Sequence, residues 1–178
     1  MSAMPEHIIL WRHAEAEELF DDNDMLQRDM QRALTQKGQR QATDMAKWLK
    51  PQLPKASILQ CSPALRAFQT AAAIQDVGKS CKININQALK PDTSLNTVLA
   101  NIAQFNSYKC LVLVGHQPWL GQLAAHLLGI SMTEHAKDLL IKKGAIWWLR
   151  LNKTPDKARE EAVSARYIMH TVQTPSLL

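Results

Sequence analysis

Two arginines and two histidines stand in this chain where the local structure has little use for them. Arg12 and His13 end the apolar run "HIILW", Arg66 follows the run "SILQCS" closely, and His116 comes directly after "CLVLVG". Two guanidiniums brought to one point clamp a dianion strongly, because each offers a rigid fork of N–H donors matched to phosphate oxygens. A neutral imidazole held among them has a free lone pair at pH 7 and can carry a phosphoryl group covalently. A second imidazole would stabilise charge on the equatorial oxygens of the transferring group. Phosphoryl transfer is the chemistry these four types support.

Taken singly, each has a duller explanation. An Arg-His pair at a strand end is commonly a solvated turn, and a helical arginine commonly lies on the surface with a packed stem. His116 could be a turn histidine bonded to backbone. Trp119, Trp147 and Trp148 read as packing, and His126 and His135 receive no role. Only the coincidence of placement at strand ends raises the four together.

A cysteine-based phosphate site is the nearest rival, since "CSPALR" sets Cys61 ahead of Arg66. A thiolate phosphatase loop has five residues between the two, whereas four stand here. Pro63 lacks the N–H such a loop needs, and no glycine is present. Cys61 therefore reads as a buried strand residue.

The elements that must position the four follow from periodicity. "HIILW" (His7 to Trp11) is a strand buried on both faces. The polar, acidic stretch "EAEELFDDNDMLQRDMQRA" reads as a mobile excursion with one helical turn at most. Thr35 caps a helix from Gln36 whose Ala42, Met45, Ala46 and Leu49 share a face, and Pro51 and Pro54 end it. Ser57 to Ser62 is a second strand, with a helix from Pro63 to about Ile74. Lys82 to Ile85 is a third strand, and Ser94 or Thr93 caps a helix over Leu95 to Phe105. Cys110 to Val114 is the clearest strand. Gly115 to Gln117 turns the chain, Pro118 opens a helix and Gly129 closes it. "AIWWLRL" and "VSARYIMHTV" flank a polar loop and form a hairpin. Alternating strand and helix imply a three-layer α/β/α sandwich, with a mostly parallel central sheet, helices on both faces and a C-terminal hairpin. Ligands sit beyond the carboxyl ends of the strands in such folds, where all four residues fall.

The 178 residues suffice for one core and so one domain, 1–178. A 46% hydrophobic and 21% charged composition is ordinary for a globular chain. No apolar run spans a bilayer, and the N-terminal run is too short for a signal peptide, so a cytoplasmic location and no membrane partner are expected. Three scattered cysteines suggest neither disulfides nor a metal site. The net charge of +5 is spread out rather than striped, which argues against nucleic acid.

These motifs resemble the histidine phosphatase superfamily, the phosphoglycerate-mutase-like fold. "LWRHAEA" matches its Arg-His-Gly opening with Ala14 for glycine; "LTQKG", "SPALRAFQTA" and "VLVGHQP" match three further segments in order, from about Ile8 to Gly129. The short length, Ala14 and "LKPDTSL" are similar to the SixA-type phosphohistidine phosphatases. The resemblance implies that His13 is the phosphoryl-accepting nucleophile, with Arg12, Arg66 and His116 completing the phosphate pocket, and no cofactor or metal. It also implies a phosphohistidine-bearing protein partner, for example a phosphotransfer domain, or else a small phosphorylated substrate.

One departure bears on substrate. Larger members that cleave phosphate esters carry a glutamate donor after the third strand, where this chain has "NQALKPDTSL" with only Asp92. An alkoxide leaving group needs a strong acid; imidazole, with a conjugate-acid pKa near 6.5, departs with less help. Asp92 is the first candidate donor, followed by Glu15 and then Asp21, Asp22 and Asp24. Dephosphorylation of phosphohistidine is the expected activity. A small-molecule phosphomonoesterase and a non-catalytic phosphate-binding regulatory module are the alternatives.

Overall fold

The computed structural model describes residues 4–18, 29–77, 82–130, 139–153 and 167–178. Six strands form one sheet in the order β3-β2-β4-β1-β5-β6, from β1 (His7–Arg12), β2 (Ser57–Cys61), β3 (Ile83–Ile85), β4 (Cys110–Gly115), β5 (Ile146–Leu151) and β6 (Tyr167–Gln173). The pairs β1–β4, β4–β2 and β2–β3 are parallel, while β5 runs antiparallel to β1 and to β6. The sheet is thus mostly parallel, with the expected hairpin at one edge.

Its central strands read as unbroken apolar runs because both faces are covered. Ile9 and Trp11 of β1 point into a core shared with Ala42, Met45 and Leu49 of α1 (Gln36–Leu49) and Ala67, Ala71 and Ile74 of α2 (Leu65–Asp76). Ile8 and Leu10 point the other way. They meet Val98 and Ile102 of α3 (Leu95–Ile102) and Leu120, Leu123 and Leu127 of α4 (Trp119–Leu128). The period-two alternation of one strand thereby glues two helical layers together. No described helix is long and apolar enough to cross a membrane.

Several boundaries differ from expectation. The helix assigned from Pro63 begins at Leu65. The Ser62 hydroxyl accepts the Ala64 N–H at 3.3 Å, and Ala64 itself is extended, so a tight turn replaces the first helical turn. The helix after Ser94 stops at Ile102 and tightens into a 3₁₀ turn over Ala103–Phe105. The segment expected to be a mobile excursion is anchored at both described ends: Ala16 and Leu34, both buried, form an antiparallel bridge, and residues 29–31 are helical. Asp21, Asp22 and Asp24 lie outside the described residues.

Gly38 shows how α1 serves the strand end. The Thr35 N–H donates to Glu15 O at 3.1 Å, and the Thr35 hydroxyl caps the helix by accepting from Gly38 N–H at 3.0 Å. This lays the first turn of α1 on the segment just after His13, so closely that a Cβ on Gly38 would stand 1.9 Å from Glu15 O. Gly38→Ala must push one backbone off another. We expect it to cost about 1–3 kcal/mol of stability, the range for overpacking, read as a lowered midpoint in denaturant unfolding.

Candidate active site

The register of β1 against β4 pairs Arg12 with Gly115, so the next residue on each strand is a histidine. His13 N–H extends the ladder to Gly115 O at 3.0 Å, and the two imidazole centroids stand 5.0 Å apart. On the far side of β4, Ser62 N–H donates to Val114 O at 3.0 Å and starts the turn into α2 that carries Arg66. Three adjacent parallel strands therefore deliver Arg12, His13, Arg66 and His116 to one rim. No residue larger than glycine fits at 115, because a Cβ there would lie 2.0 Å from the Trp119 ring.

His13 is held by both nitrogens. Its Nδ1 lies 2.7 Å from Ala14 O and can only donate there, which leaves Nε2 with the lone pair. Arg66 Nε–H donates to that Nε2 at 3.3 Å. Thr70 fixes the spacing: its hydroxyl accepts Ala14 N–H at 3.0 Å and donates to Arg66 O at 2.7 Å, tying the turn after His13 to α2. This is a structural use for the threonine in "RAFQTA".

Burial pushes the His13 imidazole down to about 3, with Arg66, Arg12 and Lys143 acting in the same direction against the Ala14 carbonyl bond. Burial likewise brings His116 to about 2, assisted by His13, Arg66, Arg12 and Arg32. Both rings are neutral at physiological pH, so a nucleophilic His13 needs no base to deprotonate it. His116 Nε2 sits 2.8 Å from Ser62 Oγ.

These shifts set a stability window. Both folded values fall below the free imidazole's 6.5, so the unfolded chain takes up the two protons first as the medium is acidified. Stability is whole above pH 6.5 and is lost by ~1.4 kcal/mol per ring per pH unit below it, down to about pH 3. Unfolding curves at pH 7.5 and pH 5 should differ by about 4 kcal/mol, and His116→Gln should halve the difference. A flat response would contradict the burial of these rings.

The two arginines are gripped differently. Arg12 donates to Ile141 O at 2.7 Å, while its Nε is buried with no partner among the described residues. Arg66 lies against Asp29, donating to its backbone carbonyl and, at 2.8 Å, to its carboxylate Oδ2. Burial raises the Asp29 carboxyl, but hydrogen bonds from Arg32 and Arg66 outweigh it and hold the group below the ordinary value. Asp29 thus offsets positive charge that would otherwise gather on this rim. The sequence reasoning missed it. Its only signal is an acid flanked by Arg28 and Arg32 in "QRDMQR".

The candidate proton donors stand apart from the four. Asp92 is exposed on a turn with a left-handed φ of 61°; its charge is felt by Arg66, yet among the described residues it bonds to none of the four. Glu15 is paired with Lys37 at 2.8 Å and with the Thr35 hydroxyl at 3.1 Å. The Cys61 thiol is buried and pushed up to about 12, so it stays protonated and out of the chemistry. His126 is exposed, and His135 lies outside the described residues.

The sequence model of the histidine phosphatase superfamily (branch 1) matches residues 8–90, and no curated protein matches the chain. Among solved structures, the chain is similar to the protein histidine phosphatase SixA complexed with tungstate, at a TM-score of 0.71 and 21% identity, covering 96% of this chain and 98% of that one. A SixA from Agrobacterium tumefaciens superposes at 0.75 and 21% identity, covering 97% and 100%. A phosphoserine phosphatase from Entamoeba histolytica in complex with 3-phosphoglyceric acid superposes at 0.65 and 19% identity, covering 97% and 99%. The sequence pattern of the histidine phosphatase superfamily is thus matched over residues 8–90, and the fold of these solved structures is shared over nearly the whole chain.

Proposed function

We propose that this protein is a phosphatase that removes the phosphoryl group of phosphohistidine on a protein partner, such as a phosphotransfer domain, through a phospho-His13 intermediate. The observation that carries the reading is the bare Nε2 of a neutral, buried His13 with a guanidinium N–H resting on it. A phosphoryl oxygen entering the site accepts the Arg66 Nε–H in place of the imidazole and frees the lone pair. Nε2 then attacks phosphorus as the bond to the leaving imidazole nitrogen breaks, and that imidazole leaves as a neutral ring by taking a proton from Asp92 or from solvent at the open rim. Water next cleaves the N–P bond on His13, releasing inorganic phosphate and restoring the free ring. Arg12 and Arg66 neutralise the oxygens throughout, so the sequence of steps calls on no cofactor.

The leaving group supports the substrate class. Glu15 is engaged elsewhere and Asp92 stands at the exposed rim, the one acid retained as donor. Such weak assistance suffices for imidazole and is costly for an alkoxide. An open groove of about 450 Å³, lined by Pro63 and Leu65 of the turn that leads to Arg66 and by Met30, Gln31, Phe68 and Ile85, gives an apolar surface suited to a protein more than to a sugar. The SixA resemblance in fold agrees with this. The cytoplasm, where histidine phosphotransfer operates, is the corresponding location.

The phosphoserine phosphatase among the fold relatives favours a second reading, a small-molecule phosphomonoesterase. Turnover of a phosphohistidine peptide and of phosphoserine by the same preparation separates them, and a preference for the ester overturns the leaving-group reasoning. A regulatory module without turnover would bind phosphate yet leave neither label on His13 nor product.

A further inference from the structure

Ser62 directly follows β2, is fully buried, and has no part in the steps above. Its hydroxyl oxygen accepts Ala64 N–H at 3.3 Å and lies 2.8 Å from His116 Nε2. Counting hydrogens decides how that short contact is made. A neutral imidazole has one N–H and a serine one O–H. Were the ring hydrogen on Nε2, it would take the second lone pair of an oxygen already accepting the Ala64 N–H. The serine hydrogen would then have no acceptor among the described neighbours, at a cost of about 1–3 kcal/mol. The lone pair on Nδ1 would also be turned toward an incoming anion. With the serine donating to Nε2, every group around Ser62 is satisfied and the ring hydrogen resides on Nδ1. That nitrogen is buried and has no partner among the described residues.

We propose that Ser62 is a positioning residue that fixes His116 as its Nδ1–H tautomer and so makes it a hydrogen-bond donor to the phosphoryl group. His13 is held in the same tautomer by Ala14 O but meets the substrate with its other nitrogen. One imidazole therefore presents a lone pair to phosphorus, and the other presents an N–H to oxygen. The catalytic consequence rests on the phosphatase reading; the tautomer does not.

Long-range ¹H–¹⁵N correlation spectra of the histidine-labelled full chain at pH 7.5 test the assignment without any substrate. His116 should show a protonated-type Nδ1 and a bare-type Nε2; the reverse pattern overturns the proposal. Ser62→Ala should draw the His116 shifts toward a mixture of tautomers. It should also lower kcat by about 10–100-fold and weaken inhibition by inorganic phosphate. Ser62→Cys, retaining a weak donor, should recover part of both the shift pattern and the rate. Unchanged shifts and unchanged kcat in the alanine variant would sink the idea. Should wild type turn over no phosphohistidine, the phosphatase reading fails while the wild-type spectrum still decides the tautomer.

Discussion

His13→Ala is expected to lower phosphohistidine turnover by about 10⁴-fold or more, the scale seen when a covalent nucleophile is removed. The other three groups would still bind phosphate, but direct attack by water would have to replace a ring poised against phosphorus. Two features make the test sharp. His13 is neutral before substrate arrives, so no separate activating base can carry residual activity. Its Nδ1 is committed to Ala14 O, so the label must sit on Nε2. A brief incubation with phosphohistidine peptide, quenched without acid because the N–P bond is acid-labile, should leave phosphate on His13 in wild type and none in the variant. A variant that hydrolyses normally would end the covalent mechanism.

Arg66→Lys is the second large effect, expected at about 10²–10³-fold in kcat/KM. Charge is retained, so a purely Coulombic role would leave activity near wild type. The guanidinium, however, bonds in three directions at once: Nε toward His13, and the two terminal nitrogens toward the Asp29 carbonyl and carboxylate. An ammonium on a flexible stem cannot reproduce that fork. It should keep its pairing with Asp29 and lose its hold on the phosphoryl oxygens. Inhibition by inorganic phosphate should weaken in parallel, which places the loss in binding of the PO₃ group rather than in folding. A variant within twofold of wild type would show that the fork is dispensable.

Much of this arrangement was legible in the sequence because abrupt endings of apolar strands are informative. Ile8 to Trp11 and Leu111 to Val114 can only be buried, and whatever follows them must emerge at the sheet's carboxyl edge. Arg12, His13 and His116 followed from that, and Arg66 from the turn after Cys61. What was hidden lies in contacts between segments distant in sequence. Asp29 meets Arg66 across 37 positions from a polar stretch with no period to betray it. The hydroxyls of Ser62 and Thr70 act at single hydrogen bonds, which no pattern of hydrophobicity records. Pro63 misled because its fixed φ suits a first helical position, while the Ser62 side chain had already claimed the backbone for a turn. Asp92 remains a candidate donor, exposed on its turn yet near enough for its charge to be felt by Arg66.

The pairing of Arg12 with Gly115 has a broader implication. The main-chain hydrogen-bond ladder in the middle of the sheet brings the His13 and His116 rings side by side, 5.0 Å apart. Insertions, deletions or grafts in the surrounding connections can then alter which molecules are admitted without detuning the spacing on which bond-making depends. Under the proposed function, selectivity and reactivity are then mechanically separable, and a designer could exchange one while leaving the other untouched.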